Sequence, residues 1–167
     1  GNSMSVNDTL ANFTVTLAAG QKYIALASGV LNPAAFAANP DGKNSAFGLT
    51  IIPSAQTASQ LPGNVDLVIN HGSTDAPTVD IIARNVATLV DNAAYGDVAG
   101  YLGVPASNYI IDITPGNDNS QIVASFQADL TTLAGGAAAV FASGFLTPSA
   151  NQNGPAFGVY AALANGT

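Results

Sequence analysis

Apolar residues along this chain come in short runs, alternating with polar ones and ending at Gly, Pro, Asn or Asp. Residues 12–17 place Phe13, Val15 and Leu17 on one side of an extended segment, the two-residue period of a half-buried strand. Residues 18–21 then read as a turn and 22–27 as a second strand. A loop follows through Pro33 and residues 39–42, where two prolines and a glycine argue against regular structure. A third strand is predicted over 46–52, closed by Pro53. Residues 54–64 are polar and turn-rich, as in a linker. Further strands are predicted near 65–70, 78–84, 86–91, 109–114, 121–130, 137–143 and 156–163, while 95–104 reads equally as strand or irregular chain. This succession of short strands and turn residues is the pattern of a many-stranded β protein.

The pattern repeats. Ala27-Ser28-Gly29-Val30-Leu31-Asn32-Pro33 recurs as Ala142-Ser143-Gly144-Phe145-Leu146-Thr147-Pro148. Ala46-Phe47-Gly48-Leu49 recurs as Ala156-Phe157-Gly158-Val159, and Phe13 answers to Phe126. The interval is that of a whole domain rather than of a solenoid unit. Residues 61–167 therefore read as one complete module, and residues 1–60 as the last three strands of a preceding one. Three strands alone leave an apolar face and open edges. The missing half is expected either from a longer chain or from another chain, by strand complementation. The start, Gly1-Asn2-Ser3, reads as that of a fragment or a processed product.

Between two apolar runs lies the stretch from His71 to Ile82, with Ser73, Asp75, Pro77 and Asp80 among its residues. Residues 65–69 alternate only in part, as in a strand with one wet face or one buried on both. Gly72 and Asp75-Ala76-Pro77 break the period, since Pro77 fixes its own φ and disfavours helix at Ala76. Ser73 and Asp75 can bond nearby backbone N–H groups and hold a turn. Thr78-Val79-Asp80-Ile81 resumes with β-branched residues, as a strand does. His-x-Ser-x-Asp-Ala-Pro-x-Val-Asp resembles the signature of the bacterial domain-of-unknown-function 4397 family. The resemblance runs on through Tyr95-Gly96, residues 109–116 and Ala142-Ser143-Gly144, over about residues 65–163. It implies a β-sandwich module, often in tandem with others in a secreted or cell-surface protein, from a family with no established enzymatic activity.

Composition narrows the partners. Charged residues make up 8% of the 167 residues, against roughly 25% in an average soluble protein. All ten acidic residues are Asp, and the only bases are Lys22, Lys43 and Arg84, for a net charge of −7. Nucleic acid and anionic membrane surfaces both need clustered Lys and Arg, so neither is an expected partner. No apolar run reaches the ~18 residues of a membrane span, so no membrane insertion is expected. Cys is absent, which excludes disulfides and suits an extracellular protein that relies on its core.

Candidate chemistry centres on the same turn. His71, Ser73 and Asp75 are the residue types of a hydrolytic triad, but they fall within five positions, whereas triads converge from distant segments. A structural histidine bonded to its own turn is the competing reading. Zinc takes three or four His, Cys or carboxylate ligands, and one His without Cys argues against such a site. No cofactor is expected; calcium is the alternative, through Asp75, Asp80, Asp91, Asp97 and loop carbonyls, although no Asp-x-Asp-x-Asp-Gly loop is present. Asn117-Asp118-Asn119-Ser120 is oxygen-rich but reads as a hairpin turn. No pair of carboxylates is marked for glycoside hydrolysis, no Trp is present to stack sugar, and no phosphate-binding glycine loop occurs. Three Asn-x-Thr sequons begin at Asn7, Asn12 and Asn165.

The expected fold is all-β: tandem immunoglobulin-like (Greek-key) β-sandwich modules. The expected role is a non-catalytic structural or adhesive repeat module, extracellular or at the cell surface. Its partners would be other modules of the same longer chain, neighbouring surface protein chains or glycans. The alternatives are a subunit completed by another chain in a filament or secretion-associated complex, and a carbohydrate- or ligand-binding module with His71, Ser73, Asp75 and Asp80 at its site.

Overall fold

A computed structural model describes residues 4–164, and in them the short runs become ten strands in three sheets. They are β1 (Tyr23–Ser28), β2 (Gly48–Pro53), β3 (Asn64–His71), β4 (Val79–Ala83), β5 (Ala87–Ala93), β6 (Val98–Pro105), β7 (Asn108–Pro115), β8 (Ala124–Asp129), β9 (Ala137–Ser143) and β10 (Gly158–Leu163). Two four-stranded sheets, ordered β10-β9-β3-β6 and β5-β4-β7-β8, make an all-β, sandwich-like body. Every pairing is antiparallel except that of β3 with β9. No helix among the described residues is long and apolar enough to cross a membrane.

The core lies between the two large sheets. Val65, Leu67 and Ile69 of β3 pack with Val104 and Ala138, and with Ile81 and Val90 from the facing sheet. A second cluster joins Val79, Ala93 and Ile113 to Phe126 and Phe157. β3 is buried on both faces, which explains its incomplete alternation. Val65 on one face is 1% exposed and Val68 on the other is 2% exposed.

β1 and β2 stand apart as a two-stranded sheet that repeats β9 and β10. Ser28 pairs with Gly48 as Ser143 pairs with Gly158. Isolated parallel bridges, Val30 with Ala46 and Phe145 with Ala156, follow each first strand. The Phe13 and Phe47 rings lie 5.8 Å apart at 56°; their counterparts Phe126 and Phe157 lie 5.8 Å apart at 58°.

Several expectations need correction. Residues 12–17 are not a strand. Their counterpart β8 is held by the hydrogen bonds of β7, and no strand stands in that place beside residues 12–17. The loop after β1 is not wholly irregular: Pro33–Ala35 is a single 3₁₀ turn, matched by Pro148–Ala150. Proline sits there at a first-turn position, where its missing N–H costs nothing. The ambiguous stretch at 95–104 supplies strand β6. The strand expected at 121–130 shortens to β8, and that expected at 46–52 starts at Gly48, Ala46 forming only the bridge. The segment 54–64 is fastened rather than free. Ser59 N donates to Gly135 O at 2.8 Å, Ser59 Oγ to Asp66 at 2.6 Å, and Gln56 N to the Tyr101 hydroxyl at 2.9 Å.

Candidate functional site

His71 ends β3 and is 3% exposed. Gly72 follows because nothing larger fits, since a Cβ there would lie 2.5 Å from Ala142 O. The Gly72 N–H donates to that same carbonyl at 3.0 Å. His71 Nε2 lies 3.1 Å from Pro77 O. A carbonyl can only accept, so Nε2 carries the hydrogen and donates it across the turn. Nδ1 is buried and has no hydrogen-bond partner. The ring meets Tyr95 edge-on, with centroids 6.4 Å apart.

Burial holds the His71 imidazole below the ordinary histidine range, against the opposing pull of the Pro77 carbonyl and the Asp97 and Asp41 charges. The unfolded chain therefore binds a proton near pH 6.5 that the folded chain refuses. Stability is full above about pH 6.5 and falls as the pH drops below it. Urea midpoints at pH 7.5 and 5.5 should differ in the parent protein and converge in His71→Gln. With a single histidine in the chain, a parent midpoint that stays flat over this window contradicts the assignment.

The other motif residues lock one joint. Asp75 accepts from Leu146 N at 2.7 Å, Thr147 N at 2.8 Å and Asn151 Nδ2 at 2.8 Å. Ser73 Oγ donates to Gly144 O at 2.8 Å. Asn151, wholly buried, accepts from Ala37 N at 3.0 Å through its side-chain oxygen. From the N-terminal segment, Asn39 Nδ2 donates to the carbonyls of Thr74 and Ala76, at 3.0 and 3.1 Å. Asp41 accepts from Thr78 N at 2.6 Å and from its hydroxyl at 2.8 Å. The Phe36 ring stacks on Phe145 at 5.5 Å. The turn at 72–78 is thus clasped from both sides, by the loop after β9 and by the loop after β1.

Asp80 lies apart from this joint. It is buried in β4 and accepts from Asn92 N at 2.7 Å, beside the irregular pairing of β4 with β5. Asp112 is held by Arg84 through two bonds of 2.7 Å and by Ser125 at 2.6 Å. These donors lower its carboxyl to about 2. Neither bond of Ser73 goes to His71; its second, at 3.4 Å, goes to Asp75. Among the described residues no three His or Asp side chains gather as a metal-binding group. Asp75, Asp80, Asp91 and Asp97 do not converge. The 117–120 turn joins β7 to β8, with Asp118 accepting from Ser120 N at 3.0 Å. The sequon at Asn165 lies outside the described residues.

Sequence reasoning missed Asn39 and Asn151, which complete the joint. Both sit in loops rich in Asn, Pro and Gly, where a buried side chain is indistinguishable from a solvated turn residue. Between the two large sheets lies a cavity of about 370 Å³, lined almost wholly by apolar side chains, with His71 and Pro77 in its wall. Its wall also includes Val123 and Tyr160, both exposed, so it reaches the surface between the edge strands β8 and β10.

Comparison with curated proteins gives no match. The sequence profile of DUF4397, a domain of unknown function, matches residues 65–157, which span the His71 turn, the Asp75 clasp and both partners of the Phe126–Phe157 pair. That match covers more than half of the chain, and the chain belongs to the DUF4397 family.

Proposed function

We propose that this protein is a non-catalytic structural or adhesive repeat module of a secreted or cell-surface bacterial protein. Its sandwich would be immunoglobulin-like (Greek-key) and repeated in tandem. One observation carries this reading: the turn is bonded on one side to the loop after β9, through Ser73 and Asp75, and on the other to the loop between β1 and β2, through the Thr74 and Ala76 carbonyls and Thr78. Asp75 holds Asn151, Asn151 holds Ala37 N, and Asn39 separately holds the Thr74 and Ala76 carbonyls, so both loops are clasped to the turn. A clasp of this kind fixes the angle between successive modules, which is what a spacer or display array requires. Sparse charge and the absence of Cys fit a module repeated outside the cell. The work of such an array is spacing, display and weak multivalent attachment to glycans or other surfaces.

Limited proteolysis tests the rigidity. Thermolysin should leave residues 54–64 uncut under native conditions, because that segment is bonded to Gly135, Asp66 and Tyr101. Rapid cleavage there, with the sandwich surviving, counts against a rigid spacer. Protease added outside intact source cells tests the location.

A second reading, small-molecule binding, is favoured by the cavity. Its volume lies in the ~300–1,000 Å³ range of ligand pockets, and its lining is almost wholly apolar with His71 in the wall. A neutral aliphatic molecule fits that lining. Titration with 1-decanol should shift the His71 Nδ1 resonance saturably; a resonance that does not move removes this reading.

A further inference from the structure

We infer that the open edge of β1 is the docking site for a β3-type strand, running parallel to β1, supplied by the front half of another module of this family. This rests on the tandem-module reading and adds the occupant, its direction and its register. In the sandwich, β9 is flanked by β10 on one side and by parallel β3 on the other. β1 repeats β9 in sequence and in its pairing, yet it has β2 on one side and no strand on the other.

The side chains agree with the unfilled edge. Ala25 and Ala27 are exposed, whereas their counterparts Val140 and Ala142 line the cavity between the large sheets. Phe13, Val15 and Leu17 carry the apolar alternation of a strand and remain 44%, 43% and 54% exposed. Their counterpart strand β8 is covered by pairing with β7, so the same front half would bring a β7-type partner for residues 12–17. Unpaired N–H and C=O groups beside exposed apolar residues are the template that strand addition uses.

The repeat also fixes which strand fits. Leu67 stands opposite Ala138 and His71 opposite Ala142. Carried onto β1, the Leu67-type residue lies opposite Tyr23 and the His71-type residue opposite Ala27. A second copy of this chain cannot donate its own β3, because that strand is already held by β6 and β9.

The test joins a second copy of residues 61–120 ahead of Gly1 and follows amide exchange. Exchange at residues 23–28 should slow on the order of 100-fold relative to the parent chain, the scale that separates fraying from structured strands, and the protein should remain monomeric. Unchanged exchange at residues 23–28 overturns the proposal, as does protection gained only through concentration-dependent dimers of the parent. Should the extended protein fail to keep the sandwich resonances, a synthetic peptide of residues 64–77 is added to the parent chain instead. A spin label at the peptide's N-terminus should then broaden Tyr23 rather than Ser28. Broadening at Ser28, or at neither, contradicts a parallel strand. Exchange here reads β1 alone, whereas thermolysin reads the 54–64 segment, so the docking site and the rigid spacer can fail separately.

Discussion

Alanine at Asp75 is expected to lower the unfolding free energy by about 3 kcal/mol, the largest loss for any single polar residue of the turn. Hydrogen bonds to a charged group are worth roughly 1.5–3 kcal/mol each, and donors left unpaired in a buried site cost about 1–3 kcal/mol. Asp75 is buried and receives bonds from Leu146 N, Thr147 N and Asn151 Nδ2. The sum is less than three full bonds because water can enter the vacated volume and the terms share one loop. Asn151 is then left with only the Thr147 carbonyl to hold its amide, which loosens the bond to Ala37 N that reaches the N-terminal segment. Asp75→Asn keeps one acceptor oxygen and should fall between the two. Urea unfolding followed by tyrosine fluorescence measures both variants. A loss under about 0.5 kcal/mol, the range of ordinary surface substitutions, shows that the clasp is not a stabilising element.

Two glycines at matched positions should behave differently. Gly144 has φ of 81° and a Cβ there would run into the Ala156 carbonyl; Gly29 has φ of 90° and a Cβ would lie 2.5 Å from Ala46 O. The local offence is the same: a left-handed backbone, which costs an L-residue roughly 1–2 kcal/mol, plus collision with a backbone atom that cannot rotate away. Gly144→Ala strains the loop that Asp75 and Ser73 hold and that closes β9 onto β10. We expect it to cost about 3 kcal/mol or more. Gly29→Ala strains only the two-stranded β1–β2 sheet, so the main unfolding transition should move much less while exchange at residues 23–28 speeds up. Equal shifts of the main transition in the two variants would mean that β1–β2 and the sandwich share one cooperative core.

Much of the fold was legible because strand pattern is local. Pro, Gly and Asn punctuate the runs, and the recurrence of Ala-Ser-Gly and Ala-Phe-Gly identified matching strand pairs that adopt matching geometry. The failure at residues 12–17 is equally instructive. Phe13, Val15 and Leu17 alternate as β8 does, but a strand exists only where another strand bonds it. Pattern reports a face and cannot report a partner. The turn at 71–80 was visible through Pro77 and its short polar residues, but its depth was not. Burial of Ser73 and Asp75 comes from loops far away in the chain, at residues 36–42 and 144–151. Asn39 and Asn151 carried no signal for the same reason. Sheet order was hidden too, since the parallel pairing of β3 with β9 joins strands far apart in sequence.

The His71 turn joins the loop of the N-terminal strand pair to the sandwich and would hold that pair at a fixed position. The most direct measurement is the spin-label distance distribution between Gln21→Cys and Gln127→Cys. Both positions are exposed, and the parent chain has no cysteine to interfere. A single narrow distance, broadened when Asp75→Ala is added, is the predicted result. A distribution already broad or multiple in the protein with Asp75 intact would contradict it.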